Sequence, residues 1–234
     1  MTSTGRLTAT VLGAGGIGSK FGGRLAGAGA DVWLVTRNSH HASAARRHGL
    51  TIVKGDVEEV VQLGAGTDVF EPPPAEFILL AVKSYDTEEG SRQIALYMRG
   101  DALAITLQNG LGNIETMAAQ LGEERCVLGV TFEGATLVEP GRVADMGSGM
   151  TYLAADPATR DRLQRLADAL TEGRDQDRSP RSTGSRGAAL GQAGDGLWNQ
   201  PGGGGAARAQ WGAIRVRGGS AAIPRSDRRD GSGR

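Results

Sequence analysis

The distribution of apolar residues predicts strands and helices over the first three quarters of the chain. Short apolar runs, typical of buried strands, alternate with segments in which apolar residues recur every three or four positions, as in amphipathic helices. The predicted strands cover 7–12, 31–36, 50–53, 77–82, 102–107 and 126–130. The predicted helices cover 17–28, 43–48, 87–98 and 114–121. This alternation predicts an α/β fold built on a doubly wound parallel sheet.

The pattern changes after residue 131. Three short antiparallel strands are predicted over 135–138, 142–146 and 151–154, separated by Pro-Gly and Gly-Ser-Gly turns. Pro157 then begins a predicted amphipathic helix. Its apolar stripe consists of Leu163, Leu166, Ala167 and Leu170. We therefore predict one domain over residues 1–173.

Composition separates residues 174–234 from the rest of the chain. This segment holds 14 of the 38 glycines, and all of its basic residues are Arg. Its few large apolar residues cannot offset an ordering cost of roughly 1–2 kcal/mol per residue. We predict a Gly/Arg-rich tail without a packed core: either a flexible basic segment or the product of an out-of-frame reading of a GC-rich gene.

The charge of the chain is divided in the same way. The formal net charge of zero is the sum of −6 up to Gly173 and +6 from Arg174 onward. A basic tail is compatible with binding to nucleic acid or to an acidic membrane. Because the composition favours an unfolded segment, we predict neither partner.

Cysteine and histidine content argues against a disulfide framework and against a metal site. Cys126 is the single cysteine and is predicted to be a core residue. His40, His41 and His48 lie in a polar segment and are predicted to face solvent. No signal-peptide core or membrane-length apolar run is present, so a cytoplasmic protein is expected.

A glycine-rich motif follows the first predicted strand and begins the first predicted helix. It reads Gly13, Ala14, Gly15, Gly16, Ile17, Gly18. In this context G-x-G-x-x-G is typical of Rossmann-type dinucleotide sites. The first glycine permits the tight turn, the second lets the backbone approach the pyrophosphate, and the third allows close packing of helix on strand. A purely structural glycine turn is the alternative.

Arg37 follows the second predicted strand, where dinucleotide folds distinguish their cofactors. An acidic residue there binds the ribose 2′-hydroxyl of NAD, whereas an Arg suits the 2′-phosphate of NADP. Asp31 precedes the strand and should not take the acidic role. We predict NADP(H) as the cofactor, with a solvated surface Arg as the alternative.

Two further polar residues follow strands of the predicted sheet. Lys83 comes directly after 77–82, and Asn109 follows 102–107. Ligands of open parallel sheets bind at the carboxyl ends of the strands. Lys83 is therefore a candidate cofactor contact, and Asn109 a candidate contact to cofactor ribose or substrate carbonyl. The alternatives are a strand-end charge and a turn residue before Gly110.

These motifs, in this order, resemble the ketopantoate reductase family (2-dehydropantoate 2-reductase) over residues 7–172. The segments that carry the resemblance are GAGGIG, VTRN, AVKSYDT, LQNGLGN, GVTFEGAT, PGRV and GSGMTYL. The family reduces 2-dehydropantoate to pantoate with NADPH, in pantothenate and coenzyme A synthesis. The resemblance implies that Arg37 recognises the 2′-phosphate, that Lys83 contacts the cofactor, that Asn109 lies between cofactor and substrate, and that the Ala135 backbone lies near the nicotinamide.

The sequence departs from the family after residue 173. The resemblance implies a C-terminal all-α domain that supplies a proton-donating Lys; we expect that domain to be missing or scrambled here, and no lysine follows Lys83. We identify no catalytic residue and predict little or no reductase activity. The alternatives are a non-catalytic NADP(H)-binding module or sensor and an NADP-dependent reductase of another 2-oxo acid. The sequence is compatible with a monomer and with a homodimer.

Overall fold

A twisted sheet with a parallel centre forms the middle of the structure. The computed structural model describes residues 5–147, 149–175 and 212–216. The strands are β1 (Thr8–Leu12), β2 (Asp31–Val35), β3 (Leu50–Lys54), β4 (Val57–Val61), β5 (Gly64–Gly66), β6 (Phe77–Leu80), β7 (Leu103–Thr106), β8 (Cys126–Thr131), β9 (Gly134–Glu139), β10 (Arg142–Gly147), β11 (Thr151–Ala155) and β12 (Gly212–Val216). The α-helices are α1 (Gly16–Gly27), α2 (Ser39–His48), α3 (Thr87–Tyr97), α4 (Asn113–Leu121) and α5 (Arg160–Asp175).

The main sheet has eight strands in the order β12-β11-β8-β7-β6-β1-β2-β5. The six strands from β8 to β5 run parallel, and β11 and β12 extend the sheet in antiparallel fashion. The strand order changes direction at β1. The chain continues from β1 to β2 on one side, and β6, β7 and β8 follow one another on the other side. The predicted Rossmann-type α/β fold is confirmed, and its ligands are expected at this reversal.

A second sheet has the order β4-β3-β10-β9, and all four of its strands contact α1. Its β3 pairs with β4 in antiparallel and with β10 in parallel fashion, and β9 and β10 form a hairpin. The predicted strands over 135–138 and 142–146 therefore belong to a separate layer. The strand predicted over 151–154 joins the main sheet as β11 instead.

The core lies on both faces of the main sheet, and β6 shows why. Phe77 and Leu79 belong to the apolar cluster that also contains side chains of α1 and α5. Ile78 and Leu80 belong to the cluster that contains side chains of α3 and α4. All four are buried, which explains the continuous apolar run in the sequence.

Several boundaries differ from the sequence predictions, among them that of α2, which is predicted over 43–48 and begins at Ser39. The last helix begins at Arg160 and not at Pro157; residues 157–159 form a turn in which the Thr159 amide donates to Asp156 Oδ1, 2.7 Å away. The prediction of an unfolded tail is wrong for Gly212–Val216, which forms β12 beside β11 and buries Ile214 and Val216. Of the rest of the predicted tail, 174–175 end α5, and 176–211 and 217–234 lie outside the described residues. Within the described ranges, no helix has the length and apolar character needed to cross a membrane.

Candidate functional site

The glycine loop is fastened to the end of β2. Gly13 has φ +97°, a left-handed conformation that disfavours other residues. The amides of Gly13 and Ala14 both donate to Val35 O, each at 3.0 Å. A Cβ on Gly13 would lie 2.5 Å from the Val82 amide nitrogen. The first glycine is thus required both by its conformation and by its contact with the chain after β6.

The other glycines of the motif have separate reasons to be glycine. A Cβ on Gly18 would collide with Gly13 O, so this glycine lets α1 pack on the loop. A Cβ on Gly16 would collide with Ala135 O, so this one lets β9 approach the start of α1. Gly15 is exposed, and no heavy atom beyond its neighbours lies within 4 Å of an added Cβ.

The open space at Gly15 meets the N-terminus of α1. The first amides of an α-helix have no partner within the helix, and with the helix dipole they attract anions. Gly15 also precedes the helix in extended conformation, with φ −81° and ψ −153°. The residues present therefore fit a pyrophosphate that approaches the backbone at this point.

A buried cluster of four charged side chains joins α1 to the second sheet and to the residue that precedes β9. Lys20 Nζ lies 3.0 Å from Glu133 Oε2 and also contacts Asp145. Arg24 Nη1 lies 2.6 Å from Glu133 Oε2, and its Nη2 lies 3.2 Å from Asp145 Oδ2. Lys20 also donates to Gly134 O at 3.0 Å. All four charged side chains are at most 8% exposed.

Electrostatics within this cluster favour the ionised form of Asp145. Burial opposes ionisation of Asp145, but the hydrogen bond from Lys20 and the charges of Lys20 and Arg24 outweigh it and lower the pKa of Asp145. Burial and the charge of Arg24 lower the pKa of Lys20, although Asp145 and Glu133 act in the opposite direction. The cluster pairs two basic with two acidic side chains that are largely shielded from water.

His41 connects α2 to the glycine loop, so the prediction that it faces solvent is wrong. It is fully buried, and its Nδ1 accepts from the Gly141 amide at 2.9 Å. Its Nε2 therefore carries the ring proton and lies 3.0 Å from Ser19 Oγ, which in turn donates to Ala14 O at 3.2 Å. Burial lowers the pKa of His41. His40 and His48 are exposed as predicted, and no group of residues suited to a metal ion occurs within the described chain.

Arg37 reaches across the end of the sheet to the loop after β6. Its guanidinium is 85% exposed, and Nη2 lies 2.7 Å from Asp86 Oδ2. The turn that carries Arg37 is fixed on the other side, because Asn38 Oδ1 caps α2 by accepting from the His41 amide at 3.1 Å. Arg37, the candidate contact to the 2′-phosphate, is therefore exposed to solvent and has a carboxylate beside it.

Lys83 and Asn109 lie on two loops that are joined by hydrogen bonds. Both side chains are exposed, and Ser84 Oγ donates to Asn109 O at 2.9 Å. The buried Asn113 amide donates to Asn109 O at 3.1 Å and accepts from Thr87 Oγ1 at 2.9 Å. A buried hydrogen-bond network therefore holds both loops in place.

Gln108 joins this network from β7. Its Nε2 donates to Val82 O at 3.0 Å and to Thr87 Oγ1 at 2.8 Å, and its Oε1 lies 3.1 Å from Thr106 Oγ1. The polar residues that surround Asn109 in its motif are therefore structural supports for the two loops.

The structure brings the predicted site residues to one edge of the main sheet. Gly13, Arg37, Lys83 and Asn109 follow β1, β2, β6 and β7, which are neighbours in the sheet. Ala135 joins them through its contact with Gly16. The supports that the sequence does not single out are Lys20, Arg24, Asp145, His41, Asp86, Gln108 and Asn113. Asp86, Gln108 and Asn113 lie within the segments AVKSYDT and LQNGLGN, which carry the resemblance, and the scarcity of lysine is a signal for Lys20.

The family follows from a direct comparison. The family model of ketopantoate reductase PanE/ApbA matches residues 9–157, which is more than half of the chain. The chain belongs to the ketopantoate reductase PanE/ApbA family.

Curated relatives in this family are named 2-dehydropantoate 2-reductase. The protein of Halobacterium salinarum is 34% identical over 165 residues, which cover 70% of this chain and 54% of the relative. That of Pyrococcus abyssi is 38% identical over 161 residues, 68% of this chain and 52% of the relative. The chain thus spans about half the length of these ketopantoate reductases.

Solved structures agree on the fold. A PanE/ApbA family ketopantoate reductase from Ralstonia eutropha superimposes with a TM-score of 0.65 at 27% identity, covering 70% of this chain and 54% of the other. D-mandelate dehydrogenase with NADH and anilino(oxo)acetate gives 0.64 at 26% identity, covering 71% and 54%. Structures with different named activities therefore share this domain.

Proposed function

We propose that residues 1–173 form the NADP(H)-binding domain of a ketopantoate reductase. The observation that carries the proposal is the glycine loop, where exposed Gly15 leaves open space at the N-terminus of α1. Gly13 and Gly18 are required by packing, but packing does not require Gly15. A bound pyrophosphate is the physical reason for a glycine there.

The remaining cofactor contacts follow from the sheet edge. Ala14, Gly16 and Ile17 complete the backbone that surrounds the pyrophosphate. Arg37 supplies the positive charge for the 2′-phosphate, and its exposure leaves it accessible to a ligand.

Three more residues, which lie further along the same edge of the sheet, complete the proposed site. Lys83 and Asn109 contact the cofactor from the loops after β6 and β7, with Asn109 between cofactor and substrate. The Ala135 backbone lies beside the nicotinamide. Within 174–234, the described residues 174–175 end α5, and β12 extends the main sheet.

The proposed reaction is the reduction of 2-dehydropantoate to pantoate, in pantothenate and coenzyme A synthesis. Curated relatives carry this activity in their names, and the family itself supports an oxidoreductase. NADPH, when bound, supplies the hydride. Negative charge then develops on the substrate oxygen, and a cationic acid normally neutralises it. No lysine follows Lys83 in this sequence, so we expect little or no turnover.

Two alternatives have specific support. The lack of a later lysine favours a non-catalytic NADP(H)-binding module. The likeness to D-mandelate dehydrogenase with anilino(oxo)acetate favours a reductase of another 2-oxo acid. We also propose a homodimer, which a measurement of molecular mass in solution would test.

Titration of the full chain with NADPH, followed by nucleotide fluorescence, tests the binding proposal. Saturable binding supports the NADP(H) site, and an absence of binding at millimolar nucleotide would refute it. NADPH oxidation is then measured with 2-dehydropantoate and with a panel of 2-oxo acids. Substantial turnover of 2-dehydropantoate would contradict the expected inactivity, turnover of another 2-oxo acid alone would favour the other reductase, and binding without turnover would favour the binding module.

A further inference from the structure

The loop after β6 places a carboxylate where the adenosine ribose is expected. Asp86 ends the turn Ser84–Asp86 and directly precedes α3. Its Oδ2 lies 2.7 Å from Nη2 of Arg37, although 49 residues separate the two along the chain. The pair therefore joins the loops that follow β2 and β6, on either side of the glycine loop after β1.

The carboxylate of Asp86 is not used to begin the helix. An Asp at a helix N-cap usually accepts a hydrogen bond from an amide of the first turn. Asp86 makes no such side-chain bond to α3 and contacts Arg37 instead. Its side chain is 23% exposed, whereas that of Arg37 is 85% exposed. An ion pair this exposed adds little to folding stability, so its position calls for another explanation.

The two ribose forms respond in opposite ways to this pair. A 2′-phosphate carries up to two negative charges, is repelled by Asp86 and must compete with it for Arg37. An unphosphorylated ribose has a 2′-hydroxyl that can donate a hydrogen bond to a carboxylate, as in NAD sites. We propose that Asp86 sets the cofactor preference, by reducing the advantage of NADP(H) over NAD(H) that Arg37 alone would provide. This inference rests on the proposed nucleotide site.

Asp86→Asn tests the inference directly, because it removes the charge and keeps the size. Dissociation constants of NADP⁺ and NAD⁺ are measured by calorimetry on the full chain, and their ratio is compared between variants. The substitution should raise the preference for NADP⁺ by roughly fivefold, as expected for removal of one partly screened like charge. The gain should shrink in high salt, where the charges are screened.

Glu88→Gln is the matched control, since it makes the same change of charge two residues further along. Glu88 is exposed in the first turn of α3 and pairs with Arg92. Asp86→Ser provides a second variant that lacks the carboxylate and suits a helix start. It should shift the ratio in the same direction, and the ratio should stay unchanged in the control.

The outcomes separate the inference from the proposed function. If neither nucleotide binds the unsubstituted chain, the proposed function fails and the inference fails with it. If both bind but the ratio changes by less than about twofold in Asp86→Asn and Asp86→Ser, the inference alone is overturned. An equal shift in Glu88→Gln would also overturn it, because the effect would then be one of net charge.

Discussion

Lys20 Nζ lies 3.0 Å from Glu133 Oε2, and neither side chain is exposed to solvent. Lys20 belongs to α1, whose N-terminus carries the glycine loop, and Glu133 directly precedes β9, which presents Ala135 O to Gly16. The pair therefore joins the two segments that meet at the proposed pyrophosphate site. Arg24 and Asp145 complete the charge balance.

Replacement of Lys20 should destabilise the domain strongly. Lys20→Met leaves two buried carboxylates with Arg24 as their remaining cation, and breaking a buried pair costs about 3–5 kcal/mol. Urea unfolding, followed by circular dichroism, measures the loss. Lys54→Met, at an exposed position of β3, is the control and should cost less than about 1 kcal/mol. Equal stability of the two variants would contradict a structural role of the charge cluster.

The buried hydroxyl of Thr87 should contribute more to folding stability than the hydroxyl of Thr116. Thr87→Val removes a partner of both Gln108 Nε2 and Asn113 Oδ1, and a buried polar group without its partner costs about 1–3 kcal/mol. Among the described residues, Thr116 Oγ1 bonds only Gly112 O, at the N-cap of its own helix, so Thr116→Val is the control and should cost clearly less. Thermal unfolding compares them, and a milder effect at Thr87 would rule out the network as the support of the two loops.

The buried His41 should make folding stability depend on pH. Because its pKa is lowered in the folded state, the unfolded chain binds more protons in this range. The stabilisation is complete above the unfolded pKa of about 6.5 and is lost as pH falls towards the folded pKa. Urea unfolding between pH 7.5 and 5.5 should therefore show a decreasing free energy of unfolding.

His41→Gln isolates this contribution, with the exposed His48→Gln as its control. The first substitution should flatten the pH dependence by at most about 1.4 kcal/mol per pH unit, the effect of one proton. The control should keep the slope of the unsubstituted chain. Identical slopes in the two variants would show that His41 does not titrate with folding.

Local patterns were sufficient to predict the parallel strands β1, β2, β6, β7 and β8 of the main sheet and the residues that follow them. The apolar run of β6 reflects burial on both faces, and the glycine motif reflects a turn and two close approaches that leave no room for a Cβ. Arg37, Lys83 and Asn109 could be placed because each follows a strand of a parallel sheet. Their roles stay predictions.

The contacts that support the site could not be predicted from local patterns. Lys20 and Asp145 are 125 residues apart in sequence, and each looks like an ordinary surface charge until the fold brings them together. His41 lies in a polar segment, and only the Gly141 amide and Ser19 explain its burial. The strand β12 is too short and too isolated in a glycine-rich segment to be recognised without its partner β11.

The most direct test of the nucleotide site is NADPH binding by Gly15→Val. Gly15 has space for a side chain and an ordinary φ of −81°, so the variant should fold. The matched control is Ala119→Val, at an exposed position of α4. We predict that Gly15→Val stays folded but loses at least about tenfold in NADPH affinity, whereas the control binds normally. Normal NADPH binding by a folded Gly15→Val variant would contradict the proposed site.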